Sequence, residues 1–173
     1  MTQNASITDL AAEMVQTARD SGALLITAES CTAGSLATLI ADTPGAGDVL
    51  LGGFVTYAKI CKTELLGVPA TRLAFCSAVS AEIAGAMTQG ALDRCRAASH
   101  AVAVTCVGGP EPDEDGNPVG LAYIAAQRRG AAPVIRPLRI EEASSSGRIR
   151  GRVLVEALGL LLAVIKGEVL DDG

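Results

Sequence analysis

With 173 residues, 49% of them hydrophobic, the chain has apolar material for one continuous core and no room for a second. A net charge of -5, with two Phe, two Tyr and no Trp, argues against a nucleic-acid partner, which needs a clustered basic face and rings for stacking. The longest apolar run, Leu158 to Ile165, is interrupted by Gly159 and falls far short of the roughly 20 residues a spanning helix requires.

The start of the chain carries Asp9, Glu13, Arg19 and Asp20 among apolar positions, unlike a secretory leader, so a cytoplasmic protein without membrane contact is expected. Five cysteines are an odd number, and no pair has the C-x-x-C spacing of a zinc or redox site. Reduced, mostly buried thiols and no metal are expected. The only basic cluster is Arg128, Arg129, Arg136, Arg139, Arg148, Arg150 and Arg152, where two or three guanidinium groups can receive one small anion.

Leu10, Ala11, Met14, Val15 and Ala18 recur at helical spacing after Thr8, which reads as an N-cap with Asp9 in the first turn. Gly22 ends this helix, and Ala23 to Ala28 reads as a short buried strand. Glu29 to Gly34 is a polar turn, after which Ser35 to Ala41 resumes a helical pattern. Thr43 to Gly47 is a turn. Val49 to Tyr57 reads as a strand with a break or bulge at Gly52-Gly53, and helical residues follow to Leu66, stopped by Gly67-Val68-Pro69.

Ser80, or Val79 beside it, starts a long helix to about Arg96, and Ala101 to Thr105 forms a buried strand. Gly108 to Asn117 is a turn-rich acidic loop; its Asp113 to Asn117 hints at a calcium loop but lacks the closing carboxylate, so a solvated turn is expected. Val119 to Gln127 and Val134 to Ile140 read as a hairpin. From about Gly147 to Val169, Val153, Leu154, Ala157, Leu158, Leu161 and Leu162 keep helical period. Alternating strands and helices with a late hairpin predict an α/β fold: a three-layer α/β/α sandwich with a mixed, mostly parallel sheet, as one domain with its core over about 8–168.

Three segments are polar where a buried strand ends: Thr27 to Gly34, Phe54 to Tyr57, and Val104 to Pro110. Parallel strands bring such ends together, so hydroxyls, one carboxylate and glycine-rich backbone would share a cleft. A serine becomes a competent nucleophile when a neighbouring base takes its proton, and a desolvated lysine is such a base. Ser30 and Lys62 offer that pairing, with Lys59 as the alternative base.

In order and spacing these segments resemble the CinA C-terminal domain family. Its members carry T-A-E-S-C-T-G-G, then F-V-T-Y with a Lys five positions after the Tyr, then V-T-G-x-x-G-P. Thr27 to Gly34 matches the first motif apart from Ala33, Phe54 to Tyr57 with Lys62 matches the second, and Thr105 with Gly109-Pro110 matches the third; the likeness runs over about 8–165. It implies a nicotinamide mononucleotide deamidase that forms nicotinic acid mononucleotide and ammonia without a cofactor. The resemblance carries a catalytic role to Ser30, Lys62 and Tyr57. The substrate would meet Glu29, Cys31, Thr32, Gly34, Thr105, Gly108, Gly109 and Arg150, with the amides of Cys31 and Thr32 as an oxyanion hole.

Blander roles stand beside these. Ser30 can cap the following helix, Tyr57 can pack at a strand end, and Glu29 can orient the turn, cap a helix or contact a substrate hydroxyl. A Cys31 nucleophile activated by His100 is disfavoured, because His100 opens a strand instead of ending one. The chain also departs from the family pattern. Gly47 stands for a serine, Cys106 for the glycine of V-T-G, and Glu111-Pro112-Asp113 for a glycine run. Ser144-Ser145-Ser146 replaces Gly-Asp-Arg, removing one arginine while Arg150 remains and Arg148 can substitute. These departures motivate an alternative, a catalytically silent nucleotide- or partner-binding module of the same fold, and a further one, an amidase of another small amide. A homo-oligomer acting on a small-molecule nucleotide is the expectation.

Overall fold

The structure, a computed structural model, describes residues 6–140 and 145–168. Helix α1, Ile7–Ser21, opens on a reciprocal cap in which the Ser6 hydroxyl accepts from the Asp9 amide and the Asp9 carboxylate accepts from the Ser6 amide. The cap therefore sits at Ser6 and not at Thr8, whose hydroxyl lies 2.6 Å from that of Ser6.

Five strands follow in one sheet of order β2-β1-β3-β4-β5: β1 Leu25–Glu29, β2 Leu50–Val55, β3 His100–Cys106, β4 Leu121–Arg128 and β5 Val134–Arg139. β1 pairs in parallel with β2 and β3, while β3/β4 and β4/β5 are antiparallel, so the sheet is mixed with only β4 reversed. Every residue of β1 and β3 is buried, as expected of central strands covered on both faces, their mostly apolar runs broken only by Thr27 and Glu29 in β1 and by His100 and Thr105 in β3. The register of β1 on β2 slips between the Leu50 and Gly52 pairings, at the expected break. Pro137, which has no amide to donate, lies on edge strand β5.

Helices cover both faces. Helices α1, α2 (Ser35–Ala41) and α6 (Ser146–Lys166) enclose one core with Leu25, Val102, Val104, Ala122 and Ile124. Helices α3 (Lys59–Leu66), α4 (Ala70–Cys76) and α5 (Ala81–Arg94) enclose the other with Ile26, Ala28, Ala101, Ala103 and Ala125. Successive strand residues thus feed opposite layers, the period of two that a doubly covered sheet demands. Along α6, Ile149, Val153, Leu158, Leu160 and Leu161 are fully buried, each side chain stabilising by about 1.5–3 kcal/mol.

Helix α4 was not expected. It starts after Pro69, lasts seven residues and buries only Leu73, so it leaves no period in the sequence. The fold places the site through register: Glu29 at the end of β1 lies beside Val55 of β2 and Val104 of β3. Ser30, Thr56 and Thr105 consequently emerge side by side at the carboxyl edge of the parallel strands.

Candidate active site

Ser30 is the first residue after β1, and its amide donates to the Val104 carbonyl at 3.1 Å, tying the turn to the neighbouring strand. The turn is held from below by Glu29, whose fully buried carboxylate accepts five hydrogen bonds. They come from the hydroxyls of Thr27 (3.2 Å) and Thr32 (2.7 Å) and from the amides of Gly34 (2.9 Å), Leu36 (3.0 Å) and Ala37 (2.8 Å). Three of these donors are free amides at the start of α2, where a carboxylate also meets the positive end of the helix. Glu29 thus orients the turn and caps the helix. Its oxygens are occupied, and it is not part of the cavity wall.

Lys62 lies one turn into α3, which starts directly after the loop from β2. Its ammonium nitrogen reaches across to the Ser30 hydroxyl at 3.0 Å and donates to the Thr56 carbonyl at 2.6 Å, with the Tyr57 carbonyl at 3.5 Å. The side chain is buried, 1% exposed. Burial pushes its pKa from the usual 10.5 down to about 8; a nearby Cys61 opposes the shift and the positive charge of Lys59 adds to it. A neutral amine has two hydrogens and one lone pair. With the two hydrogens turned to Thr56 and Tyr57 carbonyls, the lone pair faces the Ser30 hydroxyl and can accept its proton.

The alternative base is engaged by other partners. Lys59 is ion-paired with Glu114 at 2.7 Å and Asp115 at 2.9 Å, and these bonds, Glu114 foremost, raise its pKa. These partners keep it an ammonium, and among the described residues it makes no hydrogen bond to Ser30.

Ser30, Lys62 and Lys59 line a cavity of about 720 Å³ together with Cys31, Tyr57, Thr105, Gly108 and the acidic residues Asp113, Glu114 and Asp115. Thr105 donates its hydroxyl to the Ala78 carbonyl at 2.8 Å and so fixes the far wall. Tyr57 is 71% exposed, its ring at the cavity mouth and not packed in the core. Among the described residues the amides of Cys31 and Thr32 have no acceptor, which leaves donors free beside Ser30.

Of the other expected residues, Thr32 is buried behind the cavity with its hydroxyl on Glu29, Gly34 caps α2 outside it, and Gly109 adjoins Gly108 without lining it. Arg150 is exposed on α6 and is not brought together with Ser30. Ser144 lies outside the described residues. The expectation of reduced thiols is overturned for two cysteines: Cys31 and Cys106 are joined by a disulfide, with Cα atoms 5.7 Å apart, while Cys61, Cys76 and Cys95 are free. The acidic loop is likewise more than a solvated turn, since it walls the cavity and pairs with Lys59. His100 opens β3 at the opposite end from Cys106.

Sequence reasoning missed Thr56, although it stands inside F-V-T-Y, because its contribution is a backbone carbonyl that no side-chain pattern announces. Among the described residues no three His, Cys, Asp or Glu side chains gather as a metal site, and no helix is long and apolar enough to cross a membrane.

The structure defines the chain as an open α/β domain with a polar site at the ends of its parallel strands, and its likeness to known proteins gives the family. The CinA C-terminal domain pattern matches residues 7–165, and the chain belongs to that family. It is 36% identical over 92% of its length to a CinA-like protein of Myxococcus xanthus and 37% identical over 96% to one of Mycolicibacterium vanbaalenii. It spans only 36% and 37% of those proteins, about a third of their length. Among solved structures it is similar to the competence/damage inducible protein CihA of Agrobacterium tumefaciens, with TM-score 0.86, 34% identity, and coverage of 95% of this chain and 99% of that one. A competence-damaged protein (CinA) superfamily structure from Escherichia coli gives TM-score 0.87 at 31% identity, covering 94% of each chain.

Proposed function

We propose that the protein is an amidohydrolase that converts nicotinamide mononucleotide to nicotinic acid mononucleotide and ammonia through a Ser30 acyl-enzyme. The observation that carries this reading is the 3.0 Å contact between the Ser30 hydroxyl and a buried Lys62 amine whose pKa is about 8.

Neutral Lys62 takes the Ser30 proton as the oxygen attacks the carboxamide carbon, and the developing oxyanion is received by the amide of Cys31, the residue of that pair that lines the cavity. Collapse breaks the C–N bond. The nitrogen leaves as ammonia, protonated by charged Lys62, and Tyr57, which lines the cavity, is assigned a supporting role in that transfer. Water then attacks the ester, Lys62 again takes a proton, and returning it to Ser30 releases the carboxylate product. The chemistry needs no cofactor.

The family relation and the small, polar-edged cavity support a small-molecule substrate. Cytoplasmic residence and a homo-oligomer belong to the same reading; exposed Leu51, Val55 and Ile60 along β2 and the start of α3 support pairing of copies.

Ammonia release from nicotinamide mononucleotide, measured for wild type and Ser30→Ala, tests substrate and nucleophile together. Release by wild type that is lost in the variant is expected. Calorimetric binding without release would favour a silent nucleotide-binding module, and release only from phosphate-free amides would move the substrate elsewhere.

A further inference from the structure

The Cys31–Cys106 disulfide bridges the residue that follows Ser30 to the last residue of β3, and both cysteines line the cavity. Each is 8% exposed, so access to the sulfurs runs through the cavity itself. Cys106 stands where the family pattern has a glycine, which makes the bridge a feature of this chain and not of the motif. It also differs from a remote structural staple, because one end is covalently continuous with the nucleophile's turn.

We propose that Cys31 and Cys106 form a reversible dithiol–disulfide couple in the cavity wall, exchanging with small-molecule thiols and disulfides, and that its state sets the reactivity of Ser30. In oxidation, one cysteine thiolate attacks a sulfur of a small disulfide R–S–S–R, giving a mixed disulfide and a first R–S⁻. The second cysteine thiolate then attacks the cysteine sulfur of that mixed disulfide, closing the Cys31–Cys106 bond and releasing a second R–S⁻. The two thiol protons end on the two released thiolates, and the small disulfide takes up the two electrons. Reduction by a thiol runs the same steps backwards.

The bonded state pins the turn on one side while Glu29 holds it on the other. Unbonded sulfurs must move apart to van der Waals distance. Both cysteines are otherwise packed in the core formed with α2 and α6, so the open space beside them is the cavity over Ser30. A freed thiol therefore swings toward the position a substrate amide would take. The oxidised protein is the reactive one, and the reduced protein is slower.

The experiment equilibrates the whole protein in oxidised or reduced glutathione, alkylates free thiols, maps peptides by mass, and measures labelling of Ser30 by a fluorophosphonate probe. Oxidised glutathione should yield a linked Cys31–Cys106 peptide, with Cys61, Cys76 and Cys95 each alkylated or carrying glutathione and none of them bridged to another cysteine of the chain. Reduced glutathione should leave both partners alkylated in the folded protein, with Ser30 labelled several-fold more slowly. Cys106→Ser should show the slow rate in both buffers. A bridge that never forms, or that opens only after unfolding, overturns the couple; equal labelling rates in the two states overturn its hold on Ser30. The inference rests on Ser30 as nucleophile, and labelling absent from wild type in both states, or retained in Ser30→Ala, would strike that reading instead and leave the peptide map standing.

Discussion

Lys59 and Lys62 stand three residues apart on α3, one ion-paired at the cavity rim and the other buried on a serine. Glu114 and Asp115 hold the first at 2.7 and 2.9 Å and raise its pKa, whereas burial brings the second to about 8. One helical turn therefore separates a permanent cation from an amine that is partly neutral near physiological pH.

This difference predicts the pH dependence. Only neutral Lys62 accepts the Ser30 proton, so kcat/KM should rise with pH and level off above about 8. Lys62→Met should lower kcat by about 10²- to 10⁴-fold, the usual contribution of a positioned base. A wild-type profile flat from pH 6 to 9 would remove Lys62 from the proton path. Because its folded pKa lies below that of the unfolded chain, Lys62 also costs stability that is regained as pH rises from about 8 toward 10.5. Chemical denaturation of wild type and Lys62→Met at two pH values reads this directly: the variant should be the more stable at pH 7, and the gap should close at high pH.

Glu29 offers a prediction about positioning. Its Oε2 accepts from the Thr32 hydroxyl and the Gly34 and Leu36 amides, while Oε1 accepts from the Thr27 hydroxyl and the Ala37 amide. In Glu29→Gln one oxygen becomes an NH₂ that faces donors, leaving buried amides without an acceptor at about 1–3 kcal/mol each. The melting temperature should fall, and kcat should fall with it by more than KM rises, because the shift is centred on the turn that carries Ser30 while Thr105, Gly108 and the acidic loop of the cavity wall stay in place. A full kcat in the variant would mean that the turn is held by other contacts.

Packing between α5 and α3 gives a test remote from the chemistry. A Cβ at Gly90 would collide with the Leu66 carbonyl oxygen and lie 2.9 Å from the Leu66 Cβ, so the two helices meet only because residue 90 has no side chain. Gly90→Ala should destabilise by about 1–3 kcal/mol, a loss of roughly 2–4 °C in Tm per kcal/mol for a chain of this size. At Gly159 on α6 nothing lies within 4 Å of the same added atom, and alanine there should stabilise by about 0.5–1 kcal/mol. Equal melting temperatures for the two variants would contradict this packing.

Much of this was legible before any coordinates, for identifiable reasons. Strands β1 and β3 and helix α6 announce themselves because their burial has a period, continuous in the strands and helical in α6. Ser30 and Lys62 were readable through the ordered motifs. Helix α4 was not, since one buried leucine in seven residues sets no period. The cap at Ser6 was misplaced by two positions because Thr8 and Ser6 both precede Asp9, and only the reciprocal hydrogen bonds decide between them. The Cys31–Cys106 bridge and the Lys59 ion pairs join positions 75 and about 55 residues apart, so no local spacing could reveal them. Glu29 was seen as important but left open, because its five donors converge only once β1 and α2 are folded against each other.

The acidic loop supplies a last prediction, in which the sign distinguishes an electrostatic role from a structural one. The charge of Lys59 depresses the pKa of Lys62, and Glu114 and Asp115 partly neutralise that charge. Removing the acids in a Glu114→Gln, Asp115→Asn double variant leaves Lys59 unscreened, so Lys62 should titrate lower and the rising limb of the rate profile should move to lower pH. Lys59→Met removes the cation itself and should move the limb to higher pH. Both shifts should be smaller than the one burial imposes, because they act through partly solvated groups, and both should shrink at high ionic strength. Shifts of the same sign in the two variants would show that the loop acts on Lys62 by packing and not by charge.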